Sequence, residues 1–143
     1  MQKKICFMIM LVALLTVVTA TSSRAACALI NLVGNWNFYT IGWDDADEGW
    51  FEPYWAYGPL TVTSTGAINT GTSIRTPEGE VISFTGGKLA ISSACTVSGT
   101  IKLGSGVGTI TIKNAAMDSG KTVVTGVYTI TDGSKGLFNL LKR

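Results

Sequence analysis

Between residues 57 and 142 the sequence alternates between apolar and polar side chains with a period of two residues. Leu60 and Val62 alternate with threonines, and Ile110 and Ile112 do the same farther along the chain. Successive side chains of a β-strand point to opposite faces, so this period predicts strands with one buried and one solvent-exposed face. No stretch of ten or more residues has a convincing helical period. The pattern therefore predicts an all-β fold.

Glycines interrupt this alternation every few residues to a dozen, which is typical of tight turns between short strands. Only two connections, 44–56 and 115–120, exceed a few residues, and a Greek key needs a long return crossover. We therefore predict an antiparallel up-and-down meander that closes into a small barrel, because closure removes both edge strands. The eight predicted strands are 34–43, 57–64, 67–75, 80–92 (with a bend at Gly86-Gly87), 96–103, 107–114, 121–131 and 136–142.

The N-terminus has the layout of a secretory signal peptide. Two lysines precede an uncharged, largely apolar run at residues 5–20, and Ser23-Arg24-Ala25 offers small residues at the cleavage positions. As a helix the run would span about 24 Å, which is short of the roughly 30 Å hydrocarbon core of a membrane. We expect residues 1–25 to be removed, with cleavage after Ala20 as the alternative. The remaining chain, 26–143, is then one exported domain without a transmembrane anchor, in the periplasm of a bacterium or outside the cell.

Removal of the signal peptide leaves two cysteines, Cys27 and Cys95. In an exported domain they permit one intramolecular disulfide. In the predicted barrel both cysteines lie at the same end, as a disulfide requires. Closing a loop of this length would contribute on the order of 4 kcal/mol to stability. Arg24 stands where a lipoprotein signal needs an aliphatic residue, so we expect no lipid anchor at Cys27.

The chain contains no histidine, and the exported part has eight basic residues against nine acidic ones. Without histidine there is no histidine base, no Ser-His-Asp triad and no histidine-ligated metal. A chain so close to neutral has no electrostatic footprint for nucleic acid. We therefore expect a non-enzymatic protein without a metal, a cofactor or a nucleic-acid partner.

Nine of the thirteen aromatic residues and five of the nine carboxylates fall within residues 36–57, largely in the predicted loop 44–56. Aromatic faces beside carboxylates suit sugars and organic cations, and Trp and Tyr are also enriched in protein interfaces. The predicted ligand- or partner-binding residues are Trp43, Asp44, Asp45, Asp47, Glu48, Trp50, Phe51, Tyr54 and Trp55. In the alternative interpretation, Trp36, Phe38, Trp50 and Phe51 fill the barrel and the acids keep the loop soluble.

Residues 32–39, Leu-Val-Gly-Asn-Trp-Asn-Phe-Tyr, resemble the G-x-W signature of the calycin superfamily. This superfamily includes the lipocalins, the avidins and small periplasmic metalloprotease inhibitors. The resemblance implies that Gly34 and Trp36 open the first strand, that Trp36 closes the floor of the barrel, and that binding occurs at the open end. By the lipocalin plan, it also places a basic residue of the last strand, Lys142 or Arg143, over the tryptophan.

Two functions are favoured by these observations, and a hydrolase that works with Asp and Glu carboxylates alone is a third alternative. The first is an exported binding protein that takes a small molecule, such as a sugar, an amine or an apolar ligand, at the open end of the barrel. The second is a protein-interaction or surface-structural module with an exported protein as partner, of which protease inhibition is one case. The inward-facing side chains are apolar, as expected both for a packed core and for an apolar pocket. The sequence therefore does not decide between the two functions.

Overall fold

The computed structural model describes residues 26–45 and 51–143 and shows an eight-stranded antiparallel barrel preceded by one helical turn. The predicted signal peptide, residues 1–25, lies outside the described residues. The elements are α1 (Leu29–Leu32), β1 (Gly34–Asp45), β2 (Phe51–Val62), β3 (Ser73–Arg75), β4 (Val81–Ile91), β5 (Thr96–Leu103), β6 (Gly108–Met117), β7 (Val123–Thr129) and β8 (Lys135–Lys142).

Each strand pairs with the next one along the chain, and β8 returns to pair with β1 from Trp36↔Lys142 to Trp43↔Lys135. The predicted all-β, up-and-down closed barrel is therefore confirmed. The connections alternate between two ends. We call the end with turns 92–95 and 118–122 the base, and the end with turns 76–80, 104–107 and 130–134 the mouth.

The period-two alternation sorts side chains between the interior and the solvent as predicted. Leu60, Val62, Ile110 and Ile112 are buried, whereas the lysines in the polar phase of β4, β5 and β6 are exposed. Phe38 packs in the interior against Phe84 and Phe138, with ring centroids 6.2 Å apart in both pairs. The half of the barrel nearer the base is therefore a packed hydrophobic core.

Glycines make room for the largest inward side chains. Interior positions of small barrels commonly alternate small and large residues to fit the restricted cross-section. An added Cβ on Gly126 would lie 3.1 Å from Cε1 of Phe138 and 2.5 Å from Cβ of Ala115. Four inward aromatic residues face a glycine in register: Phe38↔Gly58, Tyr54↔Gly42, Tyr128↔Gly136 and Phe138↔Gly126.

The predicted disulfide joins Cys27 and Cys95 at the base, with their Cα atoms 5.0 Å apart. Cys27 is buried, and its backbone N–H donates to the carbonyl oxygen of Ser93 at 3.2 Å. The segment before β1 is thus bound covalently to the turn between β4 and β5.

Trp36 forms the floor of the barrel, as the G-x-W resemblance implies. Its side chain is fully buried, and its Nε1–H donates to the carbonyl oxygen of Leu32 at 2.7 Å. Lys142 is the basic residue over the ring, with its Nζ 5.3 Å from the ring centroid. Arg143 instead reaches outward, where its Nε donates to Oδ1 of Asn37 at 2.7 Å.

The predicted long loop 44–56 is wrong in its extent. β1 and β2 pair without a break from Gly34↔Val62 to Asp45↔Phe51, so only residues 46–50 separate the two strands. The sequence conceals this strand because aromatic residues occupy both of its faces: Tyr54 points inward, whereas Trp55 and Tyr57 are exposed.

The predicted strand 67–75 is also only partly formed. Isolated bridges join Ala67 and Ile68 to neighbouring strands, and β3 itself is three residues long. Between them, Oδ1 of Asn69 accepts the backbone N–H of Gly71 at 2.8 Å and turns the chain away from the sheet. As a result, β2 and β3 share a single register pair, Tyr57↔Arg75.

Candidate functional site

A cavity of about 250 Å³ lies inside the mouth of the barrel, above the packed phenylalanines. Its walls are mainly apolar and include Ile74, Ile82, Leu103, Ile110 and Ile130. These residues come from β3 to β6 and from the turn after β7, so the cavity is enclosed by several strands. The barrel is thus packed at the base and hollow at the mouth.

Three hydroxyl groups form a chain along the β1–β2 side of this cavity. Oγ1 of Thr40 lies 2.6 Å from Oη of Tyr128 and 3.2 Å from the carbonyl oxygen of Leu137. Oη of Tyr54 lies 3.0 Å from Oη of Tyr128. A hydroxyl carries one proton. When Thr40 donates to the carbonyl, Tyr128 therefore donates to Thr40 and accepts from Tyr54.

Two glycines hold this chain of hydroxyls against the barrel wall. A Cβ on Gly42 would overlap Tyr54 and lie 2.7 Å from Oη of Tyr128. A Cβ on Gly136 would overlap the backbone of Ile41 and lie 2.5 Å from the same Oη. Because neither glycine has a side chain, the tyrosine rings lie close to β1 and β8 and leave the centre of the mouth open.

Two turns form the rim of the mouth and bring polar groups to it. The turn after β3 contributes Thr76, Glu78 and Glu80, and the turn after β7 contributes Asp132 and Ser134. The three carboxylates are exposed, and none of the cavity-lining residues is basic. The rim is therefore electronegative.

Thr76 carries the one buried polar side-chain atom without a hydrogen-bond partner among the residues that the structure describes. This atom is Oγ1, and Thr76 lines the mouth cavity. A buried hydroxyl without a partner costs about 1–3 kcal/mol relative to one that is hydrogen-bonded. The turn after β3 therefore carries an unsatisfied hydroxyl beside the cavity.

The structure separates the predicted binding residues. Tyr54 lines the cavity, whereas the side chains of Trp43 and Trp55 lie on the outer surface, 39% and 45% exposed. Asp44, Asp45 and Phe51 belong to the strands of the β1–β2 hairpin. The remaining predicted residues, Asp47, Glu48 and Trp50, lie outside the described residues. Of the residues that the alternative interpretation assigns to the interior, Trp36 and Phe38 are indeed buried there.

Sequence reasoning missed most of the cavity residues, although one signal was present. In the inward phase of β1, Phe38 is followed by the small or polar residues Thr40 and Gly42, and the inward phase of β8 begins with Gly136. Small and polar residues in the buried phase at one end of a barrel predict an interior that is not filled there. The rim carboxylates have no comparable signal, because isolated acids in turns are common.

A second cavity, of about 580 Å³, lies outside the barrel at the base, between turns 92–95 and 118–122. It is larger, but its two charged side chains already have partners within the fold. The carboxylate of Asp118 accepts the backbone N–H groups of Val123, Thr122 and Gly120. Lys121 donates to the carbonyl oxygen of Ala26 at 3.3 Å. The mouth cavity, with its converging hydroxyls, is the better candidate site.

In the part of the chain that the structure describes, no three Cys, Asp or Glu side chains are placed to hold a metal ion. No helix within those same residues is both long enough and apolar enough to cross a membrane. Comparison of the chain with protein-family models and with curated proteins gave no match.

Proposed function

We propose that this protein is an exported, non-enzymatic calycin-like barrel that binds a small molecule in its mouth. The cavity above the packed phenylalanines carries the proposal. An apolar void of about 150 Å³ is enough to hold benzene, so a cavity of about 250 Å³ has room for a single ring with a short substituent.

The lining selects for a ligand with an apolar body and one hydrogen-bonding group. The isoleucines and Leu103 would contact the body, while the hydroxyl of Tyr54 would contact the polar group. The rim carboxylates Glu78, Glu80 and Asp132 favour a neutral or cationic group over an anionic one, although salt screens charges as exposed as these. Of the sugars, amines and apolar ligands considered from the sequence, this favours amines with an apolar body, and neutral alcohols of the same shape also meet these requirements.

Export is supported by the signal-like N-terminus and by the disulfide, since disulfides persist in oxidising compartments. The calycin-like assignment is supported by the closed antiparallel barrel and by Trp36 at its floor beneath Lys142.

Three ligands that share one ring and differ in charge test this proposal: benzylamine, benzyl alcohol and benzoate. We expect the amine and the alcohol to bind more tightly than benzoate in titrations followed by NMR. The shifted backbone amides should belong to mouth residues such as Leu103 and Tyr128. Shifts confined to the base, or none with any of the three ligands, would contradict the proposal.

Filling the cavity provides a matched pair of variants. Ala56 is buried on the inward face of β2 and lines the cavity, whereas Ala90 is exposed on the outside of β4. Ala56→Leu should weaken benzylamine binding at least about tenfold, because the added carbons occupy the cavity. Ala90→Leu adds the same carbons outside and should leave binding unchanged. Equal binding by folded Ala56→Leu and wild type would place the ligand elsewhere.

A further inference from the structure

The three hydroxyl groups along the wall of the mouth cavity can share their protons in two different orders. Oγ1 of Thr40 has one proton to donate and two acceptors within reach, the carbonyl oxygen of Leu137 at 3.2 Å and Oη of Tyr128 at 2.6 Å. Oη of Tyr128 lies 3.0 Å from Oη of Tyr54, and either of these two groups can be the donor. The direction in which Thr40 donates therefore decides the direction of the chain.

Both orders give the buried protons an acceptor. Thr40 and Tyr128 are only 8% and 2% exposed, so the proton of each needs a partner. In the first order, Thr40 donates to the carbonyl, Tyr128 donates to Thr40, and Tyr54 donates to Tyr128. In the second order, Thr40 donates to Tyr128 and Tyr128 donates to Tyr54. The chain then no longer uses the proton of Tyr54, which can turn toward a molecule in the cavity.

The carbonyl oxygen of Leu137 has a second partner, so it does not hold Thr40 in the first order. Arg143 donates its backbone N–H to the carbonyl oxygen of Asn35, and hydrogen-bonded pairs recur at every second residue of an antiparallel ladder. Ile41 and Leu137 form a register pair in that same alternation. The carbonyl of Leu137 therefore keeps the N–H of Ile41 as a donor when Thr40 turns away.

The two orders present opposite hydrogen-bonding groups to a ligand. Tyr54 is the least buried of the three residues, and it lines the cavity. In the first order its proton is donated to Tyr128, so its oxygen accepts from a ligand. In the second order its oxygen accepts from Tyr128, so its proton is donated to a ligand. The same side chain thus suits an ammonium group in one order and a carbonyl or nitrile group in the other.

We propose that Thr40 is the positioning residue that reverses this chain, and that the mouth therefore binds hydrogen-bond acceptors as well as donors. This inference rests on the proposed function and widens its ligand class to neutral acceptors with the same apolar body. A valine at position 40 prevents the reversal. Tyr128 then has only Tyr54 as an acceptor within the chain, so the proton of Tyr54 faces the ligand.

Benzylamine and benzonitrile test the proposal, because they share the ring and the same number of carbon and nitrogen atoms. Benzylamine is an ammonium ion at neutral pH and only donates, whereas benzonitrile only accepts. In titrations followed by NMR, the wild type should bind both ligands, with shifted amides at the mouth. Thr40→Val should retain the binding of benzonitrile and weaken the binding of benzylamine at least about tenfold, because hydrogen bonds to charged groups are strong.

Three further variants isolate the effect of the hydroxyl. Thr40→Ser keeps a hydroxyl and should return the ratio of the two dissociation constants to the wild-type value. Thr129→Val makes the same substitution at an exposed position of β7 and should leave both constants unchanged. In a Tyr128→Phe background, Thr40→Val should no longer change the ratio, because the chain is already interrupted. Thermal unfolding confirms that each variant is folded.

The outcomes separate this inference from the proposed function. Wild type that binds benzylamine at the mouth but not benzonitrile would overturn the inference and leave the proposed function standing. A folded Thr40→Val variant that binds both ligands as the wild type does, or both equally more weakly, would do the same. If neither ligand shifts amides at the mouth of the wild type, the proposed function fails and the inference fails with it.

Discussion

The ammonium group of Lys142 lies 5.3 Å from the ring centroid of Trp36 and donates a hydrogen bond to the carbonyl oxygen of Asn31 at 3.0 Å. The last strand thereby joins the floor of the barrel to α1. Both contacts depend on the positive charge at the end of a long side chain.

Lys142→Met should therefore lower the free energy of unfolding by about 1–2 kcal/mol, because it removes a cation–π contact and a hydrogen bond but keeps most of the apolar stem. Urea unfolding followed by tryptophan fluorescence measures the change. Lys113→Met alters an exposed lysine in β6 and should change stability little. Equal effects of the two substitutions would show that Lys142 adds nothing specific at the floor.

Gly126→Ala should destabilise the barrel by about 1–3 kcal/mol, the range typical of overpacking. The new methyl group would meet the backbone and Cβ of Ala115 and the ring of Phe138, none of which can move far within the sheet. Gly71→Ala is the matched control, because its Cβ would meet only Oδ1 of Asn69, at 3.3 Å. Differential scanning calorimetry of both variants compares the two sites.

Replacing Cys27 and Cys95 together by alanine should cost about 4 kcal/mol, since the disulfide closes a loop with a sequence separation of 68. Chemical denaturation of this double variant, beside wild type with and without reductant, measures the loss. Reduced wild type should match the variant closely. A disulfide stabilises a fold mainly by lowering the conformational entropy of the unfolded chain. If reduction leaves the denaturation midpoint unchanged, the disulfide between Cys27 and Cys95 does not act in this way.

Acid should weaken the turn at the base through Asp118. The backbone N–H of Val123 is the main cause of a lowered pKa for this carboxyl, and the N–H groups of Thr122 and Gly120 act in the same direction. A carboxyl whose pKa is lower in the folded state than in the unfolded state, where it is about 4, stabilises the fold at pH values above the unfolded-state pKa. This stabilisation is lost as the pH falls through the folded-state pKa. Asp118→Asn should therefore lower the melting temperature most at neutral pH, and the difference from wild type should shrink toward pH 3. If the difference in melting temperature does not change with pH, Asp118 stabilises the turn through the geometry of its hydrogen bonds rather than through its negative charge.

The lower half of the barrel could be predicted from the sequence because interior and exterior there differ in hydropathy. Leu60 and Val97 are apolar and buried, whereas Thr61, Thr96 and Ser98 beside them are polar and partly exposed. Strand β5 begins and ends where predicted, at Thr96 and Leu103. A register shift lies between Phe84 and Gly86, next to the bend predicted at Gly86-Gly87.

The upper part of β1 and β2 could not be predicted because its polarity is reversed. In β1, Thr40 points into the barrel while the more apolar Ile41 and Trp43 are exposed. A hydropathy pattern assigns such residues to the wrong faces, and the side chains of Trp43 and Trp55, both predicted for the binding site, are exposed on the outer surface. The inversion marks the region where the interior is a lined cavity and the exterior carries exposed tryptophan and tyrosine side chains.

The single register pair between β2 and β3 leaves one joint of the cylinder weakly closed. Across this joint, the carbonyl oxygen of Thr61 accepts a hydrogen bond from the backbone N–H of Asn69. Alternate residues of a strand direct their backbone N–H and C=O groups to the same side, so every second residue of β2 counted from Thr61 directs these groups toward β3. Two of those residues, Pro53 and Pro59, have no N–H to offer. A foreign strand approaching this joint finds few donors in succession, so this side of β2 is a poor template for fibril growth.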